Sequence, residues 1–298
     1  MDRVDLALCQ LLLSNSRTPY QEMADRLGLS VNAVHKRVMS LVESGVIRAF
    51  TARISLQALN VINVWAYGRS DSPTVDRLHL ELSKNDKVYW VSYSGGGFVY
   101  IGGYLRDVSQ LGEFTSLAKT VGRIEEPEFG IMPTGTGPPA EKLQPLDLAI
   151  IRSLHRDARR PVSDVALDVK ASARTVQRRL DRMLRERLVE LSLDWYPDVS
   201  NDIVSLGHAK VSSGRDRNKV GDALWARLMP NVLFNVYFSN MPDRFVSFLW
   251  TNSMRELSGL KEKILGENGI ESFSVNVLSL GYLFDTWRDK LLFAETTG

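Results

Sequence analysis

Residues 171 to 183 read ASARTVQRRLDRM, and four arginines, Arg174, Arg178, Arg179 and Arg182, fall between apolar residues spaced three and four apart. A guanidinium is a planar fork that suits a phosphate or the acceptor edge of guanine, so four of them on one helix pose a question of aim. Ala173, Val176, Leu180 and Met183 form the stripe expected to face a core, which turns Arg174, Thr175, Gln177, Arg178, Arg179, Arg182 and Arg185 outward. Ser172 stands where an N-cap is wanted, and a helix N-terminus favours a nearby phosphate. Residues 30 to 41, SVNAVHKRVMSL, repeat the design with less charge. Ser30 caps, Val31, Val34, Val38 and Leu41 face inward, and Asn32, Ala33, His35, Lys36 and Arg37 face outward. Asparagine can pair with adenine, and lysine or arginine with guanine or phosphate.

An arginine-rich helix face taken alone is usually just solvated. Its context changes that reading. Val4 to Ile47 aligns without a gap on Leu146 to Val189, at a constant offset of 142 that sets Asp5 on Asp147, Arg17 on Arg159, Ser30 on Ser172 and Arg37 on Arg179. Each copy reads as a helix, a short second helix, a turn and a third amphipathic helix, which is a helix-turn-helix, and VIRAFTARIS supplies a wing. Lys170 replaces Gly28 and Arg187 replaces Gly45 in the second copy, so its turn and helix end are less strongly signalled. After each copy the strand and helix patterns follow the order βαββαβ. The fold class is therefore α+β. The expected domains are a winged helix-turn-helix over 1–55, a ferredoxin-like segment over 56–132, a proline- and glycine-rich linker over 133–145, a second winged helix-turn-helix over 146–198 and a second ferredoxin-like segment over 199–288.

The opening D-x-x-D of Asp2 and Asp5, NSR at 15 to 17, MADRLGLS at 23 to 30, and the continuation through Val34, Arg37, Val38, Leu41, Gly45, Val46 and Ile47 closely resemble Lrp/AsnC-family transcription regulators. That resemblance implies sequence-specific binding of double-stranded DNA, with the third helix of each module in the major groove. It also implies an effector and assembly domain with a small-molecule site, such as one for an amino acid, at the turn between the second and third strands. There this chain offers Gly95, Gly96 and Gly97 in one half and Asp243 in the other. A tandem copy departs from the usual single one, so the halves are expected to pair internally as a pseudo-dimer. Whether that unit forms a homodimer is left open. A cytoplasmic, nucleoid-associated protein is implied.

The two third helices are unequal. From Asp147 to Glu190 eleven basic residues face seven acids, a net of +4, whereas from Met1 to Phe50 six face five, a net of +1. With a whole-chain charge of only +2, affinity for DNA must come from such clustering. Four scattered histidines and the single Cys9 offer no metal-ligand spacing, and no phosphate loop occurs, so neither cofactor, metal nor catalytic residue is expected. LALCQLLL is too short to span a membrane. The alternative reading is an enzyme: sirohaem decarboxylases resemble the same two-domain fold. Against it, His79 and His208 are the only histidines of the ferredoxin-like segments, with no recognisable histidine-tyrosine-arginine cluster.

Overall fold

The computed structural model describes residues 1–72, 75–134 and 141–293, and the two copies run through the same elements. The first contains α1 (Arg3–Ser14), α2 (Tyr20–Leu27), α3 (Val31–Glu43), β1 (Ile47–Ile54), β2 (Ile62–Arg69), α4 (Val75–Leu82), β3 (Val88–Ser94), β4 (Phe98–Leu105), α5 (Leu111–Thr120) and β5 (Glu128–Met132). The second contains α6 (Pro145–Leu154), α7 (Val162–Asp168), α8 (Ala173–Arg185), β6 (Val189–Trp195), β7 (Ile203–Val211), α9 (Arg217–Leu228), β8 (Val232–Tyr237), β9 (Arg244–Thr251), α10 (Met254–Leu265) and β10 (Ile270–Leu283), followed by α11 (Trp287–Lys290). Each copy is thus three helices, a strand and βαββαβ, the α+β arrangement expected. Of the expected linker, residues 135–140 lie outside the described residues.

The register of the second copy is visible in its backbone. Gly28 and Gly45 adopt φ of 65° and 80°, and Lys170 and Arg187, at the matching places, are held at 52° and 53°. A side chain in that left-handed well costs roughly 1–2 kcal/mol, so the second copy keeps the turn geometry without the residue that makes it cheap.

Two units emerge, and they do not follow the copies. One gathers Asp2–Val61, Thr134–Val199 and the segment from Asp285; the other gathers Ile62–Pro133 and Ser200–Phe284. Residues 285–288, expected to close the second ferredoxin-like segment, belong with the helix-turn-helix unit, where Leu292 joins Ile150, Leu154 and Leu191 in one core.

In the helix-turn-helix unit the two expected wings become one shared sheet. β1 and β6 pair antiparallel with each other, Phe50 opposite Leu193 and Thr51 opposite Ser192. A lone strand after a three-helix module has no partner of its own for its N–H and C=O groups, and its counterpart from the other copy satisfies them. Beside this sheet Arg53 lies 3.0 Å from Asp194 and 2.7 Å from Asp289, while Arg156 lies 2.9 Å from Asp194 and 2.6 Å from Asp285. His155, Asp285 and Asp289 come close enough together to hold an ion, but two guanidiniums already occupy both carboxylates. Burial raises the Asp289 pKa, and the adjacent Arg53, the Thr286 N–H and the charge of Arg288 together outweigh it, so the carboxyl is held below its usual range. A depressed carboxylate stabilises the fold above its unfolded pKa and ceases to do so as pH falls through the folded one. Asp289→Asn is therefore expected to lower unfolding free energy by on the order of 2 kcal/mol at pH 7, because it removes one of the two carboxylates that pair the largely buried Arg53 and leaves Asp194 as the other. Urea denaturation should show the gap closing as pH drops below about 4.

The second unit is an eight-stranded sheet in the order β5-β2-β4-β3-β10-β7-β9-β8. β10 joins the halves: Ile270 to Val277 pair with β7, and Leu278 to Leu283 with β3. At the other end Ser239 N donates to Ile131 O at 2.7 Å, and Asn240 accepts from Ile131 N at 2.9 Å and donates to Phe129 O at 2.7 Å. The chain after β8 thereby covers the open edge of β5, which would otherwise invite pairing with another chain. The two half-sheets face each other across a core that includes Trp65, Tyr67, Tyr100 and Phe238, with Phe248 partly buried against it. Tyr89 and Trp90 pack against it, as a paired face requires. The outer faces pack under α4 and α5 on one side and α9 and α10 on the other.

Candidate nucleic-acid interface

Ser30 and Ser172 cap α3 and α8 as expected, accepting from Ala33 N at 3.2 Å and Thr175 N at 3.1 Å. Val34, Val38 and Leu41 are buried on one helix, and Val176, Leu180 and Met183 on the other. The inward assignment of Val31 and Ala173 is corrected: both are exposed. Each is the first helical residue, where no preceding turn exists to bury it, and the stripe starts one turn later.

The outward residues divide into two groups. Asn32, His35, Lys36, Arg174, Gln177 and Arg178 are exposed, and Ala33 and Thr175 are half-buried beside the caps. Gln177 donates to Asp181 at 2.7 Å, and the His35 ring meets Tyr20 edge-on at 5.2 Å. Among the described residues Arg174 and Arg178 have no ion-pair partner, and they line a shallow concavity with Arg185. The other arginines are held. Arg37 pairs with Asp2 and Asp5, each at 2.7 Å. Arg179 donates to Gln144 at 2.6 Å and reaches Asp147 at 3.4 Å, and Arg182 pairs with Asp147 at 2.5 Å and with Glu141. Asp147 is fully buried, so these arginines tie the third helix to the N-terminus of the first. The repeat aligns Asp5 with Asp147 and Arg37 with Arg179, and that is the available signal for the tie.

The clasp between the two modules has no counterpart in the sequence reading. Arg17 Nη1 donates to the carbonyls of Ala158 and Arg160 at 2.6 and 2.8 Å, and Arg159 Nη1 donates to those of Ser16 and Thr18 at 2.6 and 3.1 Å. At the offset of 142 these are the same two contacts made in both directions, an isologous arrangement. Arg159 also lies over the Tyr20 ring, 4.4 Å from its centroid. Burial and the nearby Arg159 both lower the Arg17 pKa.

In the sheet unit, Gly95, Gly96 and Gly97 form a single exposed turn between β3 and β4, with Gly96 and Gly97 at φ of 72° and 74°, and Asp243 is exposed before β9. The residues next to them line a cavity that they themselves do not: Phe98 and Arg244, with Tyr67, Glu128, His208 and Lys210. The expected lack of a histidine-tyrosine-arginine cluster is corrected here. His208 Nε2 lies 2.6 Å from Tyr100 Oη, its ring centre is 5.2 Å from that of Tyr67, and burial followed by the charge of Arg244 lowers its pKa to about 4. These residues come from β2, β4, β7 and β9, so only the facing of the two half-sheets brings them together.

Comparison with known proteins agrees with the modular reading. Residues 1–48 match a profile described as winged helix-turn-helix DNA-binding, and residues 143–184 match one described as an AsnC-type helix-turn-helix domain. The HTH-type transcriptional regulator LrpA of Pyrococcus horikoshii is 37% identical over 73 residues, which are 24% of this chain and 52% of that protein. The HTH-type transcriptional regulator Ptr1 of Methanocaldococcus jannaschii is 29% identical over 116 residues, 38% of this chain and 78% of that one. The chain spans about half the length of the first curated relatives it matches, 50% and 52%. In fold it is similar to the siroheme decarboxylase NirDL, with a TM-score of 0.61 over 99% of this chain and 98% of that one, at 12% identity. No described helix is long and apolar enough to cross a membrane. The chain thus carries an AsnC-type helix-turn-helix module in its second copy and a winged helix-turn-helix module in its first, each followed by a βαββαβ segment, and in these modules it is similar to transcriptional regulators of the Lrp/AsnC type.

Proposed function

We propose that this chain is a sequence-specific DNA-binding transcription regulator that reads the major groove with α3 and α8. The observation that carries the proposal is the pair of outward, unpaired guanidiniums of Arg174 and Arg178 on the third helix of a helix-turn-helix. Asn32, His35 and Lys36 supply the weaker reading face of α3, and the N-termini capped by Ser30 and Ser172, with Ala33 and Thr175 beside them, are placed for phosphate. Arg37, Arg179 and Arg182 set the helix angle rather than grip the backbone. Since the modules differ in charge, the favoured site is asymmetric. The protein acts in the cytoplasm on the nucleoid, and a small molecule bound to the sheet unit modulates it. Selection from a random duplex pool followed by footprinting tests this: one enriched asymmetric site is the expected result, and retention indifferent to sequence would overturn it.

An enzyme reading has one observation in its favour, the cavity lined by His208, Tyr67 and Arg244, with Tyr100 bonded to the histidine, on a fold like that of a siroheme decarboxylase. Absorbance titration with a tetrapyrrole separates the two, because tight binding with a Soret shift supports the enzyme.

A further inference from the structure

We propose that the cavity between the two half-sheets binds one small planar aromatic carboxylate per chain. This names a ligand for the effector role assigned above to the sheet unit, and it rests on that assignment. The cavity holds about 350 Å³, near the lower end of the roughly 300–1,000 Å³ usual for small-molecule sites, which suits one or two fused rings.

Its two walls are chemically unlike, although they occupy corresponding places in the repeat. In β2 and β4, Arg69 stands opposite Phe98 and Tyr67 opposite Tyr100; in β7 and β9, Lys210 stands opposite Arg244 and His208 opposite Val246. Tyr67 therefore corresponds to His208, and Phe98 to Arg244. A dimer of identical chains would present the same residues on both walls. Divergence of the copies has set the rings of Tyr67 and Phe98 against His208 and Arg244, with Phe238 of the second copy adding a ring beside them, which favours a ligand with an apolar plane and an anion at one end.

Each group has a part in such binding. Tyr67, Phe98 and Phe238 offer rings for stacking. Arg244 presents the planar fork that suits a carboxylate. That fork is met by Glu128 at 3.1 Å, a side-chain carboxylate standing where a ligand's own would go. Both partners are about half exposed, so their pairing is worth little and exchanges readily. Lys210, paired with Glu271 at 2.5 Å, adds a second positive charge at the rim. The His208 ring is neutral at physiological pH, with Nε2 engaged by Tyr100; Nδ1 has no protein partner among the described residues and can bond a ring hydroxyl.

Isothermal titration of the full chain with benzoate and indole-3-acetate, set against benzyl alcohol and cyclohexanecarboxylate, tests the proposal without DNA. The aromatic acids are expected to bind one per chain, at least about tenfold tighter than either control, because benzyl alcohol lacks the charge-assisted contact and cyclohexanecarboxylate lacks the planar face that stacks. Arg244→Ala should weaken them by a similar factor, with Lys210→Ala as a milder second variant and an unchanged urea midpoint certifying the fold of both. Equal affinity for benzyl alcohol, indifference to Arg244→Ala, absence of binding, or a tetrapyrrole complex that benzoate cannot displace would each overturn it. DNA retention is measured separately, so a failure of the DNA reading leaves this titration interpretable.

Discussion

Replacing Arg17 and Arg159 together with alanine is expected to cost about 4 kcal/mol of stability, taking about 2 for each charged donor that satisfies two carbonyls. The contacts are reciprocal, so each single variant should lose a similar share and leave the other half of the clasp standing. Urea unfolding of the two single variants and the double variant measures this as a cycle, and strict additivity would show that the two arginines act independently. There is also a functional consequence. The clasp and the β1·β6 sheet fix where α3 stands relative to α8, and half-site spacing on a duplex is a geometric property of that placement. In the double variant, binding to duplexes with two or three base pairs inserted at the centre of the site should approach binding to the parent site. A retained spacing preference would mean that β1·β6 alone sets the geometry.

The second large effect is on DNA affinity. Arg174→Ala with Arg178→Ala is expected to weaken binding by about a hundredfold, since a single base or phosphate contact is worth roughly 1–3 kcal/mol. His35→Ala with Lys36→Ala should cost nearer tenfold, because the first module carries a net charge of +1 against +4 for the second. If the arginines touch phosphate, the slope of log affinity against log salt should fall by about one for each phosphate that is no longer neutralised. Gel-shift titration at fixed salt checks both pairs, and equal weakening would remove the ranking of α8 above α3. Neither pair has an ion-pair partner among the described residues, so the folded state should be little changed. Asp147→Asn, by contrast, would loosen Arg179 and Arg182 and disturb α8 indirectly.

The sequence by itself determined the repeat, the element order of both copies and, beyond its first residue, the inward stripe of each third helix. These are local properties: capping serines, apolar spacings of three and four, and a gapless offset all act within a few turns of chain. They even carried the second copy through Lys170 and Arg187, whose backbones take the same left-handed turn as Gly28 and Gly45 at some strain.

Tertiary structure decided everything that joins one copy to the other. Nothing in VIRAFTARIS announces that its partner is β6 rather than a strand of its own module, because a strand's hydrogen-bonding groups carry no address. Arg37, Arg179 and Arg182 look like Arg174 and Arg178 along the helix, and only the position of Asp5 and Asp147 at the head of the first helix separates anchors from free groups. The cavity is the extreme case. Tyr67, Phe98, His208 and Arg244 are spread over nearly 180 residues, and they share a space because two half-sheets bury their aromatic faces against each other. Burial of that apolar area assembles the site, and no short stretch of the chain contains it.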